Sequence, residues 1–261
     1  MERAATVVPG AQAIARAATL LRLVSAGGAE GRGVQELARD AGLSRSTAHR
    51  LLSALRAEGL VDQDSSARWL PGPELFLMGA AAAPRYDVTH LARDIVRSLA
   101  VKTEESAFLS VRRGDETVCL LREEGSFPIR SFVLSEGVRF PLGVASAGMA
   151  ILAFVPDAEV DAYLERHPEL PRRWGPSHDA DALKARVAET RDRGYSVNPG
   201  LIVEGSWGLG AAVFDHAGSP EWALSLTGVE FRFGADRLAS LGRTLLAHAH
   251  QLTTRIGTAR R

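Results

Sequence analysis

The residues best suited to chemistry lie in a short run, residues 44–57, which is rich in arginine and hydroxyl side chains and contains no acid. Its apolar residues recur every three or four positions and predict one buried helix face, formed by Ala48, Leu51, Leu52 and Leu55. At about 100° per residue, the opposite face carries Ser46, Arg50 and Ser53. Arginine can pair with guanine edges or with phosphate, and serine can bond to either. The face suits the major groove of DNA, although a solvated basic surface helix would show the same pattern.

The segments around this helix favour DNA binding. A short helix over 33–41 comes first, and Gly42 and Ser44 supply a tight turn and a helix N-cap. After Gly59, two short strands around a polar turn at Gln63–Ser66 would form a wing. The predicted DNA contacts are Ser44, Arg45, Ser46, Thr47, His49, Arg50, Ser53 and Arg68. Of these, Arg68 would equally suit a solvated strand position.

A second candidate site lies in the later part of the chain. The small residues GVASAG, 143–148, precede or open a helix. The free amides of that helix end would suit a carboxylate, or the small residues merely allow close helix packing. Ser225 and Thr227 project from one face of a strand, which would line a pocket or face water. Trp207 would either floor a pocket for an apolar or aromatic ligand or belong to the core.

Other kinds of site find little support. Ser146 lies in a run similar in spacing to a serine-hydrolase elbow, but Val144 replaces its first glycine and no histidine follows in a plausible context. The single cysteine, Cys119, excludes an internal disulfide and a multi-cysteine metal site, and its apolar strand predicts a core position. The sequence therefore predicts no enzyme, no metal and no cofactor.

Composition limits the class of protein. Apolar residues make up 46% of the 261 residues, enough for a sizeable core. The 31 basic and 31 acidic residues cancel, so any DNA contact must come from a local patch rather than a general basic coat. No apolar run approaches the roughly 18 residues that a membrane span needs, and no signal peptide is recognisable, so we expect a soluble cytoplasmic protein.

These sites must be positioned by two domains, which we place at 1–85 and 86–261, with the boundary near Arg85. The first begins with a helix over 12–26, with Ile14 and Val24 on its apolar face. The second mixes helices with antiparallel hairpins, which predicts an α+β fold. The expected helices are 74–83, 87–102, 145–155, 157–166, 179–193 and 235–256, with hairpins in 106–125 and 208–228 and a strand in IRSFVL, 129–134.

The first third of the chain resembles the winged helix-turn-helix of IclR-type bacterial regulators, in the runs VQELARDAGLSRSTAHRLLSALRAEGLVDQ and WLPGPELFLMG. The resemblance continues through RFPLGVASAGMAILAFVP, RDRGYSVNPG and GAAVFDHAGSPEWALSLTG, and so covers essentially the whole chain. It implies a linker helix leading to a GAF-like α/β effector-binding domain. It also implies homodimers or homotetramers that bind palindromic double-stranded DNA and control a catabolic operon.

The resemblance also assigns effector contacts. The family's effector-contacting positions correspond here to Ser146, Ala147, Asn198, Gly208, Ser225 and Thr227, and the residue patterns add Ala145 and Trp207. The chain departs from the family at several of these positions. Gly208 stands where a cysteine is common, and Asn198 or Pro199 stands where the family has an acidic residue. Gly143 and Met149 stand where relatives often have a histidine and a lysine. The site is thus less charged and roomier, which favours a larger organic or aromatic acid. The alternatives are a small-molecule sensor that acts by protein docking and a hydrolase that uses Ser146.

Overall fold

The computed structural model describes residues 11–82 and 88–259, and the chain divides into two compact units, Met1–Asp87 and Val88–Arg261. The predicted boundary near Arg85 lies outside the described residues. Among the described residues, no helix is long and apolar enough to cross a membrane.

The first unit is a helix-turn-helix followed by a two-stranded wing. Its elements are α1 (Gln12–Ser25), α2 (Val34–Asp40), α3 (Arg45–Ala57), β1 (Val61–Gln63), β2 (Trp69–Pro71) and α4 (Pro73–Ala82). The strands β1 and β2 pair antiparallel, and Arg32 forms an isolated bridge to Trp69. Helices α1, α2 and α3 and the wing all contribute apolar residues to the core of the unit, including Leu20, Leu37, Leu52 and Trp69.

One prediction for this unit is wrong. Ile14 was expected on the buried face of the first helix, but 73% of it is exposed. The buried residues of α1 are Leu20 and Val24, which are four positions apart and therefore lie on one helix face. The buried face of α1 is shorter than the sequence pattern indicates, because it does not extend to Ile14 near the start of the helix.

The second unit is built on a six-stranded antiparallel sheet. Its elements are α5 (Val88–Thr103), β3 (Ser106–Arg113), β4 (Glu116–Glu123), β5 (Arg139–Pro141), α6 (Ser146–Ala153), α7 (Asp157–Arg166), α8 (Leu170–Trp174), α9 (Ala180–Arg193), β6 (Ser196–Pro199), β7 (Ser206–Phe214), β8 (Pro220–Val229) and α10 (Ala235–Ala259). The strand order is β5-β4-β3-β8-β7-β6. This is the α+β domain, consistent with a GAF-like arrangement, that the sequence predicts.

Each face of the sheet carries its own hydrophobic core. Because side chains alternate along a strand, Leu224 and Leu226 of β8 pack with α5 and α10 on one face. Ala223, Ser225 and Thr227 alternate with them and therefore face the other side, where α6 covers β7 and β8. The second core lies there and includes Cys119, which is buried as predicted.

The strand expected at IRSFVL is absent. Residues 129–134 adopt no regular structure, and the edge strand is β5, eight residues further along from Ser131. Ile129 and Phe132 are exposed, whereas Ser131 and Leu134 are buried, so burial recurs every three residues and not every two as along a half-buried strand. The backbone amide of Val133 donates a hydrogen bond to the hydroxyl of Ser131 at 3.4 Å and not to a neighbouring strand. The strand β6 and the short helix α8 were not predicted.

Candidate DNA-binding helix and ligand cavity

The start of α3 is fixed by its N-cap. The Ser44 hydroxyl accepts a hydrogen bond from the backbone amide of Thr47 at 3.2 Å, and Ser44 has the extended backbone expected of a cap. The hydroxyls of Ser46 and Thr47 lie 3.1 and 2.9 Å from that of Ser44. The first turn of α3 therefore presents a cluster of hydroxyls beside free backbone amides, an arrangement that suits a phosphate.

The exposed face of α3 has the predicted composition. Ala48, Leu52 and Leu55 are buried, with Leu51 packed at their margin. The exposed residues are Ser44, Arg45, Ser46, His49, Arg50, Ser53 and Arg56, and Thr47 is half-buried. Among the residues that the structure describes, neither Arg45 nor Arg50 forms an ion pair, whereas Arg56 lies 3.8 Å from Asp62. Two cationic groups on this face are thus available to an external anion.

The wing is closed by Asp64 and anchored by Arg68. The Asp64 carboxylate accepts hydrogen bonds from the amides of Ser66 and Arg68 at 2.9 and 2.8 Å. The Arg68 guanidinium donates from Nε to the carbonyl of Glu30 at 2.6 Å and from Nη2 to that of Gly31 at 2.8 Å. Two of the five guanidinium donors of Arg68 therefore hold the wing to the turn before α2.

In the second unit, a cavity lies between the sheet and the start of α6, and the empty space within it and at its open mouth is about 460 Å³. All eight predicted effector-contacting residues line it: Ala145, Ser146, Ala147, Asn198, Trp207, Gly208, Ser225 and Thr227. The other lining residues, which the sequence did not indicate, are Ser110, Thr117, Val133, Leu134, Phe140, Ile202 and Ser206.

Glycines on β7 let the start of α6 lie directly on the sheet. A Cβ at Gly210 would stand 2.3 Å from the carbonyl oxygen of Ser146, and one at Gly208 would stand 3.1 Å from its hydroxyl. Such a close approach is possible only without a side chain at Gly210. The first helical hydrogen bond of α6 runs from Met149 to Ala145, so the amides before it have no acceptor within the helix. Because Ala145, Ser146 and Ala147 line the cavity, this turn with its free amides lies at one end of it.

Polar side chains from β6 hold this loop in place. The Asn198 amide group donates to the carbonyl of Val144 at 2.8 Å and accepts from the amide of Leu201 at 3.0 Å. The Ser196 hydroxyl donates to the carbonyl of Ser146 at 2.6 Å. Asn198 therefore borders the cavity but directs its polar atoms at the chain.

The opposite wall presents hydroxyls and apolar groups. Ser225 and Thr227 are buried, and neither hydroxyl has a hydrogen-bond partner within the described part of the chain. They do not face bulk water, so an interior polar ligand could satisfy them. Trp207 borders the cavity, but its side chain packs against the core on the α5 and α10 face of the sheet, where its ring centroid lies 6.4 Å from that of Phe233. No charged residue and no histidine is among the lining residues described, so Ser146 has no base beside it.

Two loops meet at the cavity. The Ser131 and Ser206 hydroxyls lie 2.6 Å apart, which joins the irregular segment 124–138 to the start of β7. The same segment contributes Val133 and Leu134 to the lining. The residues expected to form a strand there instead form part of the cavity wall.

A half-buried arginine, whose guanidinium Nε and Nη2 atoms are buried, contacts the loop that precedes α6. Arg186 of α9 donates from Nη1 to the carbonyl of Gly143 at 3.1 Å. Burial lowers the pKa of Arg186 to about 10, so the guanidinium remains charged near neutral pH. His178 is buried nearby, and burial followed by the Arg186 charge lowers its pKa below the usual value.

Two family matches together span most of the chain. Residues 13–65 match the IclR helix-turn-helix domain, and residues 80–254 match the family described as bacterial transcriptional regulator IclR C-terminal. The chain belongs to the IclR family of bacterial transcriptional regulators. Its relatives are named regulators and repressors, so this IclR protein is a DNA-binding regulator and not an enzyme.

The relatives cover nearly the full length of the regulator. The HTH-type transcriptional regulator KipR of Bacillus subtilis is 26% identical over 224 residues, 86% of this chain and 89% of KipR. The HTH-type transcriptional repressor AllR of Escherichia coli K12 is 28% identical over 251 residues, 95% of this chain and 91% of AllR.

Solved structures show the same fold. The IclR of Thermotoga maritima has a TM-score of 0.73 and 26% identity, covering 94% of this chain and 99% of that chain. An IclR homolog from Microbacterium hydrocarbonoxydans, solved in complex with 4-hydroxybenzoate, has a TM-score of 0.72 and 21% identity, covering 94% and 98%. The second likeness concerns the fold alone.

Proposed function

We propose that this regulator is a cytoplasmic repressor of a catabolic operon that binds a palindromic operator through α3 and responds to an organic or aromatic acid in its cavity. The observation that carries the ligand class is the lining of the cavity. The amides that begin α6 lie at one end, the hydroxyls of Ser225 and Thr227, which have no partner among the described residues, lie on a wall, and Phe140 supplies aromatic surface. A carboxylate with an apolar body matches these features.

For DNA recognition we assign base or phosphate contacts to the exposed face of α3. Arg45 and Arg50 supply the charge, and the hydroxyls around Ser44 supply the phosphate-binding first turn. His49 and Ser53, whose side chains lie 3.4 Å apart, extend the same face. Arg68 acts mainly through the wing that it anchors.

Binding to a palindrome needs two recognition helices, which we propose a second copy of the chain supplies in a homodimer, with homotetramers as a further assembly. The helix α4 carries Phe76, Leu77 and Met78, all more than half exposed, and none of its residues is buried. Consecutive large apolar side chains in water mark an interface. Replacing Phe76 and Met78 by Glu should shift sedimentation toward the monomer, and an unchanged oligomer would exclude this helix as the interface.

A mobility-shift titration tests the DNA-binding proposal. The full-length regulator is titrated against the DNA upstream of its own gene, with a scrambled sequence of equal length as the control. We expect a discrete retarded complex with the upstream fragment, at a concentration that does not retard the control. Equal retardation of both fragments, or of neither at any ligand concentration, would contradict operator recognition and favour a docking role.

A thermal-shift screen of organic and aromatic acids tests the ligand proposal. An acid that binds the folded state raises the unfolding temperature as its concentration rises above Kd. Trp207 fluorescence should change with the same ligand, because Trp207 borders the cavity. A ligand that alters DNA binding but leaves the fluorescence of Trp207 unchanged, judged against a Trp207→Phe control, would show that Trp207 belongs to the core and not to the ligand site.

A further inference from the structure

We infer that Arg186 makes the cavity select carboxylates over uncharged ligands, by placing a buried positive charge behind the loop that opens α6. The inference rests on the proposed function, because it concerns which ligands this cavity accepts. Arg186 is not among the lining residues, so it acts on the ligand through the loop and is a positioning residue.

The contact that places this charge is the hydrogen bond to Gly143. The Arg186 Nη1 atom lies 3.1 Å from the Gly143 carbonyl oxygen, and Gly143 is two residues before Ala145, where the cavity lining begins. The amides of the first turn of α6 follow at once. The guanidinium and the helix N-terminus therefore add their positive potentials in the same loop.

The charge has no counter-charge among the residues that the structure describes. The Nε and Nη2 atoms of Arg186 are buried without a hydrogen-bond partner, and no described carboxylate forms an ion pair with it. Glu189, the acid that raises the pKa of Arg186, is exposed and lies 3.6 Å from Arg193. A buried cation is costly unless an anion compensates it.

The neighbouring titratable group does not compensate it either. His178 is buried beside Arg186, and its lowered pKa leaves it neutral near pH 7. The cavity, in turn, is lined by no charged side chain among the described residues. Within the described part of the chain, the loop therefore lies between an unpaired cation and a cavity without charged side chains. A ligand that carries one negative charge would compensate the charge of Arg186.

The size of the effect follows from Coulomb's law. At an effective dielectric constant of about 20, two unit charges within about 10 Å attract each other enough to change an affinity on the order of tenfold. A carboxylate should therefore bind on the order of tenfold better, relative to its carboxamide, when Arg186 is present than when it is neutralised.

The test compares matched acids and amides on the full-length regulator. The probes are benzoate and benzamide, 4-hydroxybenzoate and 4-hydroxybenzamide, and phenylacetate and phenylacetamide, with Kd measured by calorimetry. Arg186→Gln keeps a donor for Gly143 but removes the charge, and Arg186→Lys keeps the charge. Lys184→Gln removes an exposed charge from the same helix and is the matched control. Arg186→Met is a second neutral variant if the Gln variant does not fold.

We expect the acid-to-amide affinity ratio to fall on the order of tenfold in Arg186→Gln and to stay near wild type in Lys184→Gln. Arg186→Lys should retain most of the ratio. The ratio separates charge from structure, because a general loosening of the loop weakens both members of a pair. An unchanged ratio in Arg186→Gln, or an equal fall in Arg186→Lys, overturns the inference and leaves the proposed function intact. If no acid binds the wild type, the proposed ligand class fails, and the inference fails with it.

Discussion

Asn198 and Val144 are joined across the edge of the cavity, because the Asn198 side-chain amide donates to the Val144 carbonyl at 2.8 Å. The same side chain accepts from the backbone amide of Leu201 at 3.0 Å. One residue thereby fixes both the loop before α6 and the loop after β6. The first role of Asn198 is to shape the cavity, and any contact with a ligand comes in addition to that role.

Asn198→Ala should destabilise the fold and weaken ligand binding. The substitution leaves the Val144 carbonyl and the Leu201 amide without their partner, and each unsatisfied buried group costs about 1–3 kcal/mol. The free energy of unfolding is measured by urea denaturation, and ligand affinity by calorimetry. A variant that binds the ligand normally and unfolds at the wild-type urea concentration would show that the loop does not depend on Asn198.

Gly210→Ala should displace α6 from the sheet. The new methyl group would stand 2.3 Å from the Ser146 carbonyl oxygen, and overpacking of this kind typically costs about 1–3 kcal/mol. Ligand affinity should fall as well, because Ser146 lines the cavity. The matched control is Gly257→Ala in α10, where a Cβ meets nothing within 4 Å. That control should be neutral or slightly stabilising. Equal effects of the two substitutions would contradict the close approach at Gly210.

Arg50→Ala should weaken specific DNA binding by about 1–3 kcal/mol if Arg50 reads a base. Its side chain is exposed on α3 and has no ion pair within the described residues, so the unit should remain folded. Affinity for the operator and for a scrambled fragment is measured in parallel, with Arg16→Ala on α1 as the control. An equal loss on both fragments would assign Arg50 to phosphate, and no loss on either would show that this face of α3 does not meet DNA.

Stability should fall as the pH is lowered through the range in which histidine titrates. Because burial lowers the pKa of His178, the unfolded chain binds a proton at a pH where the folded chain does not. The stability that neutral His178 contributes is fully present above the histidine pKa of the unfolded chain, about 6.5. Below that pH it decreases by at most about 1.4 kcal/mol per pH unit. Urea unfolding of wild type and His178→Asn at about pH 7.5 and about pH 5.5 isolates this group, because the other histidines are common to both. If the free energy of unfolding changes equally with pH in the two proteins, His178 is excluded as the source of the pH dependence.

Local patterns predicted the recognition helix well. Its N-cap at Ser44 and its buried stripe both follow from hydrophobic spacing and capping chemistry, which act within a few residues. The segment at IRSFVL shows where that reasoning fails. Whether a β-rich run joins a sheet depends on a partner strand and a buried face, and neither is visible in the run itself.

The cavity was predicted in part. The residues near Ser146, on β7 and on β8 followed from the resemblance and from strand alternation. Phe140, Val133 and Ile202 come from separate loops and strands, so only the folded chain brings them to the same cavity. The buried Arg186 was not predicted for the same reason. Its position on a charged helix indicates a solvated side chain, and its contact with Gly143 lies 43 residues away in sequence.

The central claim is that an acid bound in the cavity controls the affinity of α3 for its operator. The most direct measurement is the fluorescence anisotropy of a labelled upstream fragment, titrated with full-length regulator with and without an acid from the thermal-shift screen. The account predicts that the acid changes the Kd for DNA in the wild type, and that this change is lost in Gly210→Ala while the basal Kd is retained. An acid that binds the wild type but leaves the Kd for DNA unchanged would contradict the account.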